Sequence, residues 1–194
     1  MGPLRRFRLA YDLSELFRRY FINTLFDSTF VVLGIVSATV VTAGTPIGVT
    51  LGAMAAACIA IGISSGVSVY EAERLEAGIR MAKIERAMLS ELRDTHIDRT
   101  LRVYRALVAL VNFSAPLLVF VITAMPFLLH VAFGVPSLSQ ASEISILMAG
   151  VLVFIAGFAL GRVAGRSAIR QGLRMTIAAL ATFILLVLLQ TYLV

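Results

Sequence analysis

Long apolar runs separated by short polar breaks dominate the chain, and each run has a length that a bilayer accepts. Between residues 24 and 44 the one charge is Asp27, and residues 47–70 carry none. About 20 helical residues cross the hydrocarbon layer, so both runs predict spans. Gly44-Thr45-Pro46 breaks the chain between them, a connection that admits only a tight antiparallel hairpin. From 71 to 105 acids and bases alternate without a proline, which predicts that span two continues as a helix into solvent. Residues 106–133 form a third span containing Pro116 and Pro126, tolerated where neighbouring helices satisfy the freed carbonyls. The polar stretch 134–142 precedes span four at 143–161, and a turn with Arg162, Arg166, Arg170 and Arg174 leads to span five at 175–194.

Residues 1–22 read differently. Leu9, Leu13, Leu16, Phe17, Tyr20 and Phe21 recur at helical spacing, while Arg18 and Arg19 take other faces. Asp12 followed by Glu15 resembles a helix N-cap with its acid at the third position. The segment is expected to lie as an amphipathic helix at the cytoplasmic interface. Residues 23–194 are expected to be a single transmembrane domain that includes the cytoplasmic helical connection 71–105.

Charge decides the topology. Lysine and arginine fall in the N-terminal arm, between spans two and three, and between spans four and five, but not in the other two connections or at the C-terminus. Five spans put all three basic segments on one side, which the positive-inside rule makes the cytoplasm. Four would split them. The predicted fold class is therefore all-α, an integral membrane bundle of five helices with a cytoplasmic N-terminus. Composition agrees: 59% of the 194 residues are hydrophobic, against about 45–50% apolar in soluble domains. The net charge of +6 does not predict a nucleic-acid partner, because the charges flank apolar runs. Cys58 is the one cysteine, so no intrachain disulfide can form. Arg5, Arg6 and Arg8 precede an amphipathic segment, so no cleavable signal peptide is expected. The predicted localisation is multi-pass in a membrane, the cell membrane if the source is prokaryotic.

Small residues recur every fourth position in span two (Gly48, Gly52, Ala56, Ala60, Ser64, Ser68), with a second pair at Gly62 and Gly66. Span four continues the theme with Gly157, Gly161 and Gly165. Such ridges let backbones approach closely in lipid, within a bundle or across a dimer.

Asp27 is the one carboxylate well inside a span. Placing it there costs on the order of 2.5–3.5 kcal/mol on insertion scales, so such a group normally faces a cavity, a partner or an ion path. It could snorkel or pair with Arg18 or Arg19; it could equally be a cation ligand or proton carrier, suited to hard divalent metals. Glu73 and Glu76, and Glu91, Asp94 and Asp98, fall at three- and four-residue spacing in the charged helix. They could collect a divalent cation or form ordinary helix ion pairs, such as Glu76–Arg80. His96 and His130 are isolated, and no Walker, dinucleotide-binding or serine-hydrolase motif is present. Neither an enzyme nor a resident cofactor is expected.

The segment Asn23-Thr24-Leu25-Phe26-Asp27-Ser28-Thr29-Phe30, running on through Gly34, resembles the first span of the vacuolar iron transporter family. Gly66-Val67-Ser68-Val69-Tyr70 followed by acids is similar to that family's second-span ending and its acidic cytoplasmic extension. The resemblance implies a homodimer, joined through spans one and two, that moves ferrous iron or manganese out of the cytosol, often against protons. Asp27 matches the family's pore aspartate. Ser64-Ser65 stands where the family has glycine-glutamate, Ile61 near its methionine, and Ser28 where it has glycine. The metal-collecting domain is shortened, with Glu73, Glu76, Glu91 and Asp94 on comparable ground.

The expected function is secondary transport of a divalent cation, Fe2+ or Mn2+, out of the cytoplasm in exchange for protons. Asp27, Ser65 and Ser68 would line the path, and Asp27, Glu73, Glu76, Glu91 and Asp94 would meet the metal. Two other readings stand: a membrane binding or scaffold protein that keeps the fold without transport, and a transporter of another small solute.

Overall fold

The computed structural model describes the backbone of residues 3–42, 44–88 and 96–193, and side chains over 20–42, 44–83, 85–87 and 102–192. These residues form five helices and no strand: α1 Pro3–Val41, α2 Ile47–Met88, α3 His96–Phe133, α4 Leu138–Val163 and α5 Ala168–Leu193. Each contains a stretch long and apolar enough to cross a membrane.

Boundaries differ from the sequence expectation where local capping decides them. α1 runs unbroken from Pro3, so Asp12 lies inside a helix and does not start one. No break separates the expected interfacial segment 1–22 from span one. α4 starts five residues before Glu143, because Ser137 and Gln140 form a capping box that satisfies the first-turn amides. The basic turn shrinks to 164–167, since α5 already begins at Ala168. Arg166 N–H donates to the Gly161 carbonyl and Gly165 N–H to that of Arg162, with Gly165 at φ +65°. This is a Schellman ending, in which glycine takes the left-handed conformation without a Cβ penalty. The α1–α2 hairpin is as tight as predicted: Gly44 has φ +85° and α2 starts directly after Pro46.

α1 is the axis of the bundle. It packs against each of the other four helices, while α2–α3, α3–α4 and α4–α5 are neighbours in an arc around it. α2 and α5 end the arc and make no substantial packing with one another. The core lies between α1, α3 and α4, where Val32, Val36, Val119, Phe127 and Ala141 are fully buried, with Met54 and Cys58 from α2. In lipid such contacts hold by close packing and hydrogen bonding, not by expulsion of water. Ser145 of α4 illustrates the second: its hydroxyl donates to the Thr123 carbonyl of α3 at 2.8 Å, within a turn of Pro126, where the helix has lost a backbone donor.

The glycine ridges divide into two kinds. Gly62 of α2 lies against Phe113 and Gly66 against the Ala109 carbonyl, so this pair seats α3. Gly157 and Gly161 lie against Gly172, Ala168 and Gln171, so this pair seats α5. A Cβ on Gly161 would stand 2.7 Å from Gln171 Cβ and 2.9 Å from Ala168 Cα. Gly161→Ala should therefore destabilise the protein by about 1–3 kcal/mol through overpacking, read as a lower melting temperature in detergent. Gly150→Ala, on α4 with nothing within 4 Å of the added methyl, should leave melting unchanged or raise it; equal melting of the two variants would refute the packing assignment. The longer ridge Gly48, Gly52, Ala56, Ala60, Ser64 and Ser68 is exposed throughout and seats nothing within the subunit.

Candidate functional site

Asp27 sits on the face of α1 that the arc of helices leaves uncovered, together with Asn23 and Val31. Hydroxyls beside it turn the other way. Ser28 and Thr29 are fully buried and donate to the Thr24 and Leu25 carbonyls one turn back, at 2.6 and 2.7 Å. The carboxylate itself accepts from the Asn23 amide, Nδ2 to Oδ2 3.3 Å. The side chains of Arg18 and Arg19, possible partners on the sequence reading, lie outside the described residues.

Thr39 meets Thr50 and Tyr20 meets Glu73, and interpolating between those contacts puts Asp27 level with residues 62–66 of α2. Ser65 is thus at the right height, but it is half-buried and its hydroxyl donates to the Gly62 carbonyl at 3.2 Å. Ser68, one turn further along, is exposed.

The expected acidic ladder is split. Glu73 is buried and accepts from the Tyr20 hydroxyl at 3.2 Å, tying α2 to α1. Glu76 is exposed and pairs with Arg80 at 2.9 Å, the ordinary helix pair of the alternative reading. Glu91 and Asp94 lie outside the described residues. Among the described residues no three of His, Cys, Asp and Glu come together, and Glu73 sits at the level of Tyr20, about two turns of α1 from Asp27.

Sequence reasoning missed a second polar locus. Thr24 of α1 donates to Asn112 Oδ1 of α3 at 2.8 Å in the buried interior, and Asn112 Nδ2 has no partner there. Arg105, two turns nearer the start of α3, is also buried, with its Nε unpartnered. The signal was available, since an amide in an apolar span has to find a polar partner on a neighbouring helix.

In chemical terms, Asp27 and Asn23 offer a carboxylate and an amide on one exposed helix face. A half-turn of the amide would replace its nitrogen by oxygen and leave two hard oxygen donors side by side, the type that magnesium, manganese and calcium accept. One subunit supplies too few for a complete shell of six or more. No family model matches the chain, and no curated protein or solved structure proves similar to it.

Proposed function

We propose that the protein is a homodimeric secondary transporter that exports a divalent cation, ferrous iron or manganese, from the cytoplasm in exchange for protons. The observation that carries this reading is the exposed Asp27 carboxylate on an apolar span. A carboxylate facing lipid is expensive, and a partner, cavity or ion relieves that cost. A second copy packed on the exposed face would bring its own Asp27 opposite, and a divalent cation between the two would neutralise both. The uncovered ridge of Gly48, Gly52, Ala56, Ala60 and Ser64 gives that copy a surface its backbone can approach closely.

Charge gives the expected orientation. The described basic residues, from Arg74 to Arg105 and from Arg162 to Arg174, gather where α2 ends, α3 begins and α4 turns into α5. By the positive-inside rule this end is cytoplasmic, and α1 enters the membrane from it, with residues 1–22 expected at that interface. Glu76 lies on the same side and, with Glu91 and Asp94 as the sequence reading expects them, would raise the local cation concentration. Glu73, held by Tyr20, would stand at the inner mouth of the path and Ser68 beside it.

A reading as a binding or scaffold protein without transport draws on Ser65, whose hydroxyl is taken up by its own helix and supplies no second carboxylate. The two are separated by flux. Purified protein in liposomes loaded with a manganese-quenched dye should quench faster than protein-free liposomes when Mn2+ is added outside. Equal rates would overturn transport, and equilibrium binding of Mn2+ would then test the binding reading.

A further inference from the structure

Two of the described arginines at this end of the bundle are matched by acids. On α2, Arg74 pairs with Glu71 at 3.4 Å and Arg80 with Glu76 at 2.9 Å. At the α4–α5 turn, Arg162, Arg166, Arg170 and Arg174 are all exposed, and none of their guanidinium groups has an ion-pair or hydrogen-bond partner among the described residues. Nor can their own hairpin supply one, since no Asp or Glu follows Glu143 in the sequence. α2, which carries the paired acids, packs on α1 and α3 and makes no substantial contact with α5.

Position adds chemistry to charge. Arg170 and Arg174, four residues apart, share one ridge of α5 about 6 Å apart along its axis, while Arg166 lies in the turn just before the helix and Arg162 in the last turn of α4. From Met175 onward α5 carries no charge, as a segment in the hydrocarbon layer requires. Arg174 is therefore the last charge before the apolar run, with Arg170 one step out toward the headgroups and Arg166 beyond it in the turn. Beside this ridge runs a second, aliphatic one: Ile169, Leu173 and Ile177, all exposed. It continues into the uncharged part of the helix through Leu180, Ile184 and Leu188, also exposed. Guanidinium groups bind phosphate oxygens in bidentate fashion, and the aliphatic track takes an acyl chain.

We propose that the α4–α5 hairpin is a binding site for an anionic phospholipid, its phosphate held by Arg166, Arg170 and Arg174 with Arg162 alongside, and its acyl chain lying along Ile177, Leu180 and Ile184. A soluble phosphate would use the arginines but leave the aliphatic ridge without a role. The site is independent of the transport reading and requires only that the helices sit in a bilayer.

Native mass spectrometry of the detergent-solubilised protein, titrated with phosphatidylglycerol or phosphatidylcholine, tests it. Phosphatidylglycerol should bind the unsubstituted protein more tightly than phosphatidylcholine. Arg170→Gln should weaken phosphatidylglycerol binding about fivefold, the effect of one basic residue near an anionic surface. Arg80→Gln, whose charge is already matched by Glu76, should change it less than twofold. Equal affinity for the two lipids, or equal effects of the two substitutions, would overturn the proposal. Displacement of phosphatidylglycerol by millimolar glycerol phosphate would overturn it in favour of a soluble-anion site. The comparison of lipids on the unsubstituted protein holds even if a variant fails to fold.

Discussion

Asp27→Asn should abolish manganese-dependent quenching in liposomes while leaving the helices and their packing unchanged. The carboxylate is exposed on the subunit and its one hydrogen bond comes from Asn23, so the isosteric amide opens no hole. It removes a negative charge whose insertion costs on the order of 2.5–3.5 kcal/mol, so the melting temperature should hold or rise. Loss of flux together with unchanged or higher stability separates an ion ligand from a structural group. Flux that persists in Asp27→Asn at the unsubstituted rate would remove this residue from the path, and with it the main support for metal transport.

The second large effect concerns the uncovered face of α2. Gly52→Leu should leave the folded subunit intact, because nothing in the subunit lies within 4 Å of a Cβ at Gly52. If a second copy packs there, the leucine overpacks the interface by about 1–3 kcal/mol, and association weakens roughly 5- to 150-fold. Sedimentation in detergent or energy transfer between labelled subunits reads this directly. A dimer of undiminished affinity would place the interface elsewhere, and a dimer never formed by the unsubstituted protein would end the two-carboxylate site. Gly161→Ala is the complementary variant, expected to harm the subunit through its contacts with Ala168 and Gln171.

Much of the fold could be read before any coordinate. Five apolar runs, the hairpin at Gly44-Thr45-Pro46 and the extension of span two beyond Tyr70 are all present as helices and breaks. These depend on chain-local physics: the hydrocarbon thickness sets how many apolar residues are needed, and glycine or proline sets where a helix stops. The misplaced starts of α4 and α5 have the same local origin. Ser137 with Gln140, and Gly165 after Val163, are capping signals that outweigh the hydropathy pattern over a turn or two.

The site was only partly readable. Asp27 stood out because a lone carboxylate in an apolar run is rare, whereas the roles of its neighbours depended on which way each side chain points. Ser65 reads in sequence as a hydroxyl lining the path, yet it donates to its own helix, as does Ser28 beside Asp27. Glu73 and Glu76 look like one ladder, yet one is buried against Tyr20 and the other paired with Arg80 in solvent.

Sequence by itself determined the number of long apolar helices, their order and the end at which the arginines collect, because length and charge act on each segment independently of its neighbours. Tertiary structure alone decided which small-residue ridge is spent within the subunit and which remains open. Gly62, Gly66, Gly157 and Gly161 are consumed by α3 and α5, while Gly48 and Gly52 are left bare. All share the same four-residue spacing, and only the arrangement of the helices around α1 distinguishes a ridge with a partner from a ridge without one.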